Sequence, residues 1–576
     1  MWSLLLIYLY YFVLDKEVIN VIIVATMHID SCTYNRGDKT YRRILLRSSY
    51  RVDGKVRHDT IANLSHCTDE EIKALKLALK HKDNLSKLSS LSEGIRIKQG
   101  LSIGGVWTLL QLAKRFGIKK TLGNSRESKL VLWLIIATVI AQGSRLSAVR
   151  LAQQHAACDA LGITESFNED DLYKAMDWLE PKQEEFEKKL FEFRHGDKKP
   201  NFYLYDVTSS YLEGDQNELG DYGYNRDKKR GKKQIVIGLM TDGEGYPIAI
   251  EVFRGNTQDT KTVYSQIKKM ANRFGVTKTT FVGDRGMIKS AQITDLKEED
   301  FNYITAITKP QIEALIKVEA IQLDLFDNDL VEVAYENARY ILRRNSIRAQ
   351  EIEDTRLSKL LKLQQAVEMK NAYLKAHSRA SVEVAIKEIM KKLEKLRIKW
   401  IDINLTGREL QIVIDLQKKR ELSRLDGCYV IKTDLASDKI NADEIHSRYK
   451  DLTEVERAFR TMKTTLLEVR PVYVRRANRT RAHVFIIMLA YMLTHELRQL
   501  WCDIELTPEE GIAELASICT AEVNIPDSTA YQTIPEPRPF GRLLLKAAGI
   551  ALPSAIPSHN VVVDTRKKLV SERKSS

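Results

Sequence analysis

Paired cysteines are missing from this chain. Its six cysteines, Cys32, Cys67, Cys158, Cys428, Cys502 and Cys519, are widely scattered and form neither C-x-x-C pairs nor zinc-ligand spacings with the histidines. That excludes a disulfide framework and a structural zinc site, and it points to a reducing cytoplasm. Membrane-spanning runs are missing from the body of the chain as well. The apolar stretches 130–141 and 485–493 fall below the roughly 20 residues that a spanning helix needs, so both are expected to be buried core helices. No internal repeat, low-complexity segment or helix-turn-helix spacing stands out. The almost wholly apolar stretch 2–14 is a poor signal peptide, because no Lys or Arg precedes it and Asp15-Lys16-Glu17 follows. Residues 1–26 are expected to be a non-native upstream extension, with Met27 as the natural initiator; an export signal or anchor is the alternative.

What is present describes a globular protein of more than one domain: 576 residues, 44% hydrophobic and 29% charged. The 90 Lys and Arg against 77 Asp and Glu leave a net +13, which suits a polyanionic partner without proving one.

The pattern divides the chain. Residues 27–100 read as a small β-containing module, with a hairpin of 41–50 and 55–61 joined across Val52-Asp53-Gly54. Residues 101–198 read as a helical domain that either binds DNA or packs as a bundle on its neighbour. From 199 to 309 come strand 202–207 ending at Asp206, strand 234–241, and strand 247–253 across the turn Asp242-Gly243-Glu244-Gly245. A helix 257–274 follows, with Val263, Ile267, Met270 and Phe274 on one face and Gly275 as its stop. Strand 279–282 then leads into Gly283-Asp284-Arg285-Gly286, and a short helix and strand 303–307 finish the run. Residues 310–433 interrupt it with strands at 330–343, charged helices at 350–399 broken near His377-Ser378-Arg379, and strands at 410–416 and 428–433. They are expected to form an inserted α+β domain. Residues 434–500 return to the core, and 501–576 form a C-terminal region with extended chain near 535–539.

Three strands, a helix, a strand, a helix and a strand follow the ribonuclease-H-like order, an α/β class with a mixed sheet, in which the first strand and the end of the fourth lie side by side. Asp206 and Asp284 should therefore converge, although either alone fits an ordinary turn residue. A third carboxylate, Glu456, sits on an amphipathic helix whose Val455, Phe459, Met462 and Leu466 should pack on the sheet. Tyr449, Glu456 and Lys463 are spaced seven apart, which aligns them if the helix is continuous. Thr453-Glu454-Val455-Glu456 also fits a capping box, in which Glu456 merely reaches back to the helix start. Three converging carboxylates can hold two divalent cations, the machinery of in-line displacement at a phosphodiester.

Tyr205-Asp206-Val207-Thr208, Gly283-Asp284-Arg285-Gly286 and the Tyr449-to-Lys463 segment together resemble the DDE transposases of bacterial insertion sequences. The likeness is to the branch with a Tyr, Arg, Glu, Lys signature on its last catalytic helix, over about 201–498. Gly255-Asn256-Thr257-Gln258-Asp259 and segment 223–238 are also similar to stretches flanking those motifs. One position departs: Leu452 stands where the signature has Arg. The resemblance implies a transposase that binds the terminal inverted repeats of its element, hydrolyses a phosphodiester to expose a 3′-OH and joins that hydroxyl to target DNA. Asp206, Asp284 and Glu456 would be both catalytic and metal-ligating toward two Mg²⁺ (or Mn²⁺) ions, hard cations that suit oxygen ligands. Tyr449 and Lys463 would hold backbone phosphates, and Arg460, Arg470, Arg475, Arg476 and Arg479 are further candidates for DNA contact. The cluster Lys228-Lys229-Arg230 with Lys232-Lys233 is a second phosphate track or a solubilising surface. His483 is expected to be a core or capping histidine. The resemblance also implies a homodimer on paired ends, in the cytoplasm and on the nucleoid, with no membrane partner. The alternatives are a related nuclease without strand transfer and an inactive DNA-binding inhibitor of transposition.

Overall fold

The computed structural model describes residues 26–37, 39–52, 55–82, 96–464, 467, 469–524 and 531–565. The expected upstream extension, but for its last residue, the turn residues Asp53-Gly54 and Leu466 lie outside them. The chain divides into two compact units, 1–98 with 522–531, and 99–521 with 532–576.

In the first unit the expected hairpin is a three-stranded antiparallel meander, because β1 (Thr26–Arg36) pairs with β2 (Lys39–Val52), which pairs with β3 (Lys55–Asn63). The helix Asp69–Lys80 that follows starts on a capping box, Thr68 accepting from the Glu71 N–H and Glu71 accepting from Thr68 N–H. Strand β4 (Arg96–Ser102) leads out of this unit.

The second unit is built on an eight-stranded sheet. Its centre is β5 (Phe202–Tyr211), β6 (Gln234–Thr241), β7 (Pro247–Arg254), β8 (Thr280–Gly283) and β9 (Asn302–Ala306), in the spatial order β7-β6-β5-β8-β9. Strand β5 runs antiparallel to β6 and parallel to β8. The β6–β7 turn is fastened by Asp242, whose carboxylate accepts from the N–H groups of Glu244 and Tyr246 at 3.0 and 2.9 Å. This is the mixed α/β sheet of a ribonuclease-H-like core.

Side chains alternate across it, as the pleat requires. Leu204, Ile235, Ile237 and Leu239 enter one core with the helices Arg126–Ile140, Leu452–Lys463 and Ala477–Leu500. Tyr203, Tyr205, Val236 and Met240 enter the other with the helix Asp259–Asn272, whose Val263, Ile267 and Met270 are fully buried. The helical region 101–198 shares the first core through Trp133, Val149 and Leu172, which is the packed-bundle arrangement. Among the described residues no single helix is long and apolar enough to cross a membrane.

The interruption is not a self-contained insert. Strands β10 (Val331–Tyr335), β11 (Ala338–Arg344) and β14 (Cys428–Thr433) extend the catalytic sheet in the order β10-β11-β14-β9, so 310–433 covers an edge that β9 would otherwise expose. The helices Ser346–Ala376 and Val382–Leu396, with the hairpin β12 (Ile401–Thr406) and β13 (Glu409–Ile414), build a core around Leu363, Ile389 and Trp400, and a second cluster of Ile312, Phe326, Tyr340, Leu342 and Val430 packs on β11 and β14. The C-terminal region folds back on the helical one: Arg115 donates to Ala548 O at 2.8 Å and Trp107 to Ala551 O at 2.9 Å.

Candidate active site

Strand β5 continues to Tyr211, so Asp206 lies within the strand and not at its end. The ladder places it beside the second acid, since Tyr205 pairs with Gly283 across β5 and β8 and the next residues are Asp206 and Asp284. Asp206 has the parity of Leu204, which faces the core that holds the Leu452–Lys463 helix. Its Oδ1 accepts from Val207 N–H at 2.7 Å. Burial pushes its carboxyl up to about 7, and the charges of Asp284 and Glu456 push the same way against Arg226.

Asp284 is exposed and accepts from Arg285 N–H at 2.7 Å and from the Tyr449 phenol at 3.2 Å. Burial, with the Asp284 charge behind it, pushes that phenol well above its usual range, so the hydroxyl stays a donor.

The third carboxylate is carried differently from the continuous helix that seven-residue spacing suggested. The helices Ala442–Lys450 and Leu452–Lys463 are separate, although Asp451 between them keeps helical angles, φ −60° and ψ −15°. Asp451 is the N-cap, without a side-chain cap bond, so Thr453 already lies inside the helix and Glu456 serves no capping box. Val455, Phe459 and Met462 are buried as the stripe predicts, and Glu456 points to solvent beside them.

Leu452 is buried, so this position offers no group to a phosphate. Its neighbours are committed: Arg448 stacks 4.1 Å over the Phe202 ring and Arg457 pairs with Glu454 at 2.7 Å. Lys463 is drawn inward, 3.1 Å from Asp227, whose side chain is 2% exposed and also takes Arg470. Burial lowers the Lys463 ammonium below its usual range, and Asp227 opposes the shift. Arg479 is occupied as well. It grips Asp177 through Nε at 2.8 Å and Nη2 at 2.6 Å and stacks over Tyr173, joining two helices. Arg460, Arg475 and Arg476 are exposed. His483 sits against Arg145 at 3.4 Å, and burial brings its imidazole down to about 3, a packing histidine.

The motifs named neither Arg226 nor Asp227, and they contained Arg285 without giving it a role. Arg226 lies near Asp206 and pairs with Asp259 at 2.6 Å. The signal for it was the segment 223–238, whose similarity to a flanking motif named no residue.

Among the described residues, no three His, Cys, Asp or Glu side chains are drawn together into a ready cation cluster. The donor set still fits a divalent cation: the three acids offer hard oxygens, and burial together with the charges of Asp284 and Glu456 makes Asp206 costly to ionise, which a cation would relieve.

The model of the Transposase DDE domain family matches residues 197–493. The chain belongs to the DDE transposase family. Residues 30–92 match a second family, the N-terminal domain of IS1634 family transposases, so the transposase is of the insertion-sequence kind. No curated protein matches it significantly. A solved structure, the piggyBac transposase in a synaptic complex with hairpin DNA, is loosely similar at 9% identity, covering 72% of this chain and 75% of its own, with a TM-score of 0.33.

Proposed function

We propose that the transposase cuts DNA at the ends of its own element and joins the freed 3′-OH to target DNA, with Asp206, Asp284 and Glu456 as its catalytic carboxylates. The observation that carries this is the register of β5 and β8, which sets Asp206 and Asp284 on adjacent strands, with Glu456 near enough to raise the Asp206 carboxyl. Two Mg²⁺ or Mn²⁺ ions held by these acids would supply Lewis-acid activation of the attacking and leaving oxygens. The residues themselves orient and neutralise. Tyr449 fixes the rotamer of Asp284 through its phenol, and Arg285 sets a cation beside it. The Asp227 clasp on Lys463 and Arg470 holds the end of the Glu456 helix to the loop between β5 and β6. Arg460, Arg475 and Arg476 are the exposed guanidiniums through which we assign backbone contacts, which position a duplex without reading its sequence. A homodimer on paired ends, acting in the cytoplasm, belongs to the same proposal.

The deciding experiment incubates the protein and its Glu456→Gln variant with labelled element-end DNA and Mg²⁺, scoring binding and cleavage separately. The parent should cut at the end while the variant binds and does not cut. Equal cutting by both would remove Glu456 from the site.

A further inference from the structure

The loop that joins β5 to β6 carries chemistry that the catalytic carboxylates do not use. Its stem is rigid: Asp221 and Gln234 exchange backbone hydrogen bonds at 3.1 and 2.9 Å, and Gly255 N–H donates to Leu219 O at 3.1 Å. Gly223 and Gly255 are packed backbone to backbone, so closely that a Cβ on Gly223 would lie 2.1 Å from Gly255 O. Out of this stem project Tyr222, 60% exposed, and Tyr224, 82% exposed. Both rings stand largely in solvent. Arg226 lies 5.8 Å from the Tyr224 ring, and the exposed Lys228, Lys229 and Arg230 follow.

Tyr224 also lines a cavity of about 410 Å³, within the range of small-molecule sites. Gly286 and Lys289, on the segment that leaves Asp284, line it together with Arg226 and Asn256. Its lining includes Gln234, 1% exposed. The Gln234 amide is oriented by its nitrogen, which donates to Gly255 O at 2.8 Å and Tyr224 O at 3.3 Å. Among the described residues, that leaves Oε1 as a buried acceptor without a partner. A buried unfilled acceptor is costly and calls for a donor from outside.

We propose that Tyr222, Tyr224 and this cavity form a site for an unstacked nucleotide of single-stranded DNA, with a base on the Tyr224 ring, a base N–H toward Gln234 Oε1, and the backbone along Lys228 to Arg230. A flat ring to stack on, cations for phosphates and one acceptor at depth are what such a ligand requires, and every base carries an N–H donor, so the site tolerates sequence. The inference rests on the reading that the chain acts on DNA, and it assigns the strand left unpaired beside the cut to this loop.

The test measures anisotropy of labelled oligothymidylate of about 15 nucleotides in EDTA, across a salt series, with the full chain and the variants Tyr224→Ala and Tyr224→Phe. Tyr224→Ala should weaken binding about tenfold with an unchanged salt slope, Tyr224→Phe should stay within about twofold, and the loss should vanish on an abasic oligonucleotide of equal length. Parent-like binding by Tyr224→Ala, or an equal loss on the abasic strand, overturns the proposal. Because Tyr224 is almost fully exposed, misfolding does not confuse the result. Mg²⁺-dependent cutting of an element-end duplex by the parent is scored in parallel; its absence would count against the transposase chemistry, while base-dependent binding in EDTA would still stand.

Discussion

The Tyr449 phenol donates to the Asp284 carboxylate at 3.2 Å, bridging 165 residues of chain and tying the helix before Glu456 to the strand end that carries the second acid. Tyr449→Phe keeps the ring in place and removes only this bond. Hydrogen bonds to charged groups contribute about 1.5–3 kcal/mol. We expect the variant to lose no more than about that amount of stability and to cut an element-end duplex at least about tenfold more slowly in single turnover, with a higher Mg²⁺ requirement. A parent-like metal titration would show that Tyr449 does not orient Asp284.

Lys463 and Asp227 form a second long-range tie, spanning 236 residues. Breaking a buried pair from one side costs about 3 kcal/mol when the remaining charge is left alone; Arg470 still faces Asp227, so Lys463→Met should lower unfolding stability by less than that. Asp227→Asn combined with Lys463→Met should cost clearly less than the two single changes added together. Urea unfolding of all four proteins measures the coupling; additive losses would mean that the two groups do not act as a pair.

How far the site was legible follows from these ties. The strand order and the neighbouring positions of Asp206 and Asp284 could be read, because apolar strands, an Asp-Gly turn and a Gly-stopped helix leave local marks. The pairing of β14 with β9 left none, since strand partners are chosen by packing at a distance, and so 310–433 resembled a separate insert. Asp451 carries neither Gly nor Pro beside it, and the capping pattern Thr453-Glu454-Val455-Glu456, which did signal a helix start between Tyr449 and Glu456, set it two residues beyond the observed N-cap. The inward pairing of Lys463 and Arg479 was invisible for the same reason: Asp227 and Asp177 are remote in sequence.

The histidines give a pH prediction. Burial brings His195, His446 and His495 down to about 4 and His483 to about 3, below the value near 6.5 of an unfolded chain. The unfolded chain therefore binds more protons between those values, and stability is present above about 6.5 and lost as pH falls toward 4. Asp206, pushed up to about 7, acts in the opposite sense as a single group. The melting temperature should drop steadily from pH 7 to pH 5, and His495→Gln should flatten that slope. An identical slope in the variant would exclude His495 as a contributor.

Arginines of one cluster should separate by function. Arg479 is held by Asp177 and by the Tyr173 ring, whereas Arg475 and Arg476 are exposed. Arg479→Ala should cost about 1 kcal/mol of stability and leave the salt dependence of duplex binding unchanged. Arg475→Ala with Arg476→Ala should leave stability unchanged and reduce the slope of log affinity against log salt by about 2, because each phosphate that the protein no longer neutralises keeps about one counterion. Duplex binding across a salt series, read beside thermal melts of the same preparations, gives both quantities. If Arg479→Ala changes the slope and the double variant does not, the DNA path runs along the helix joint and not over the exposed pair.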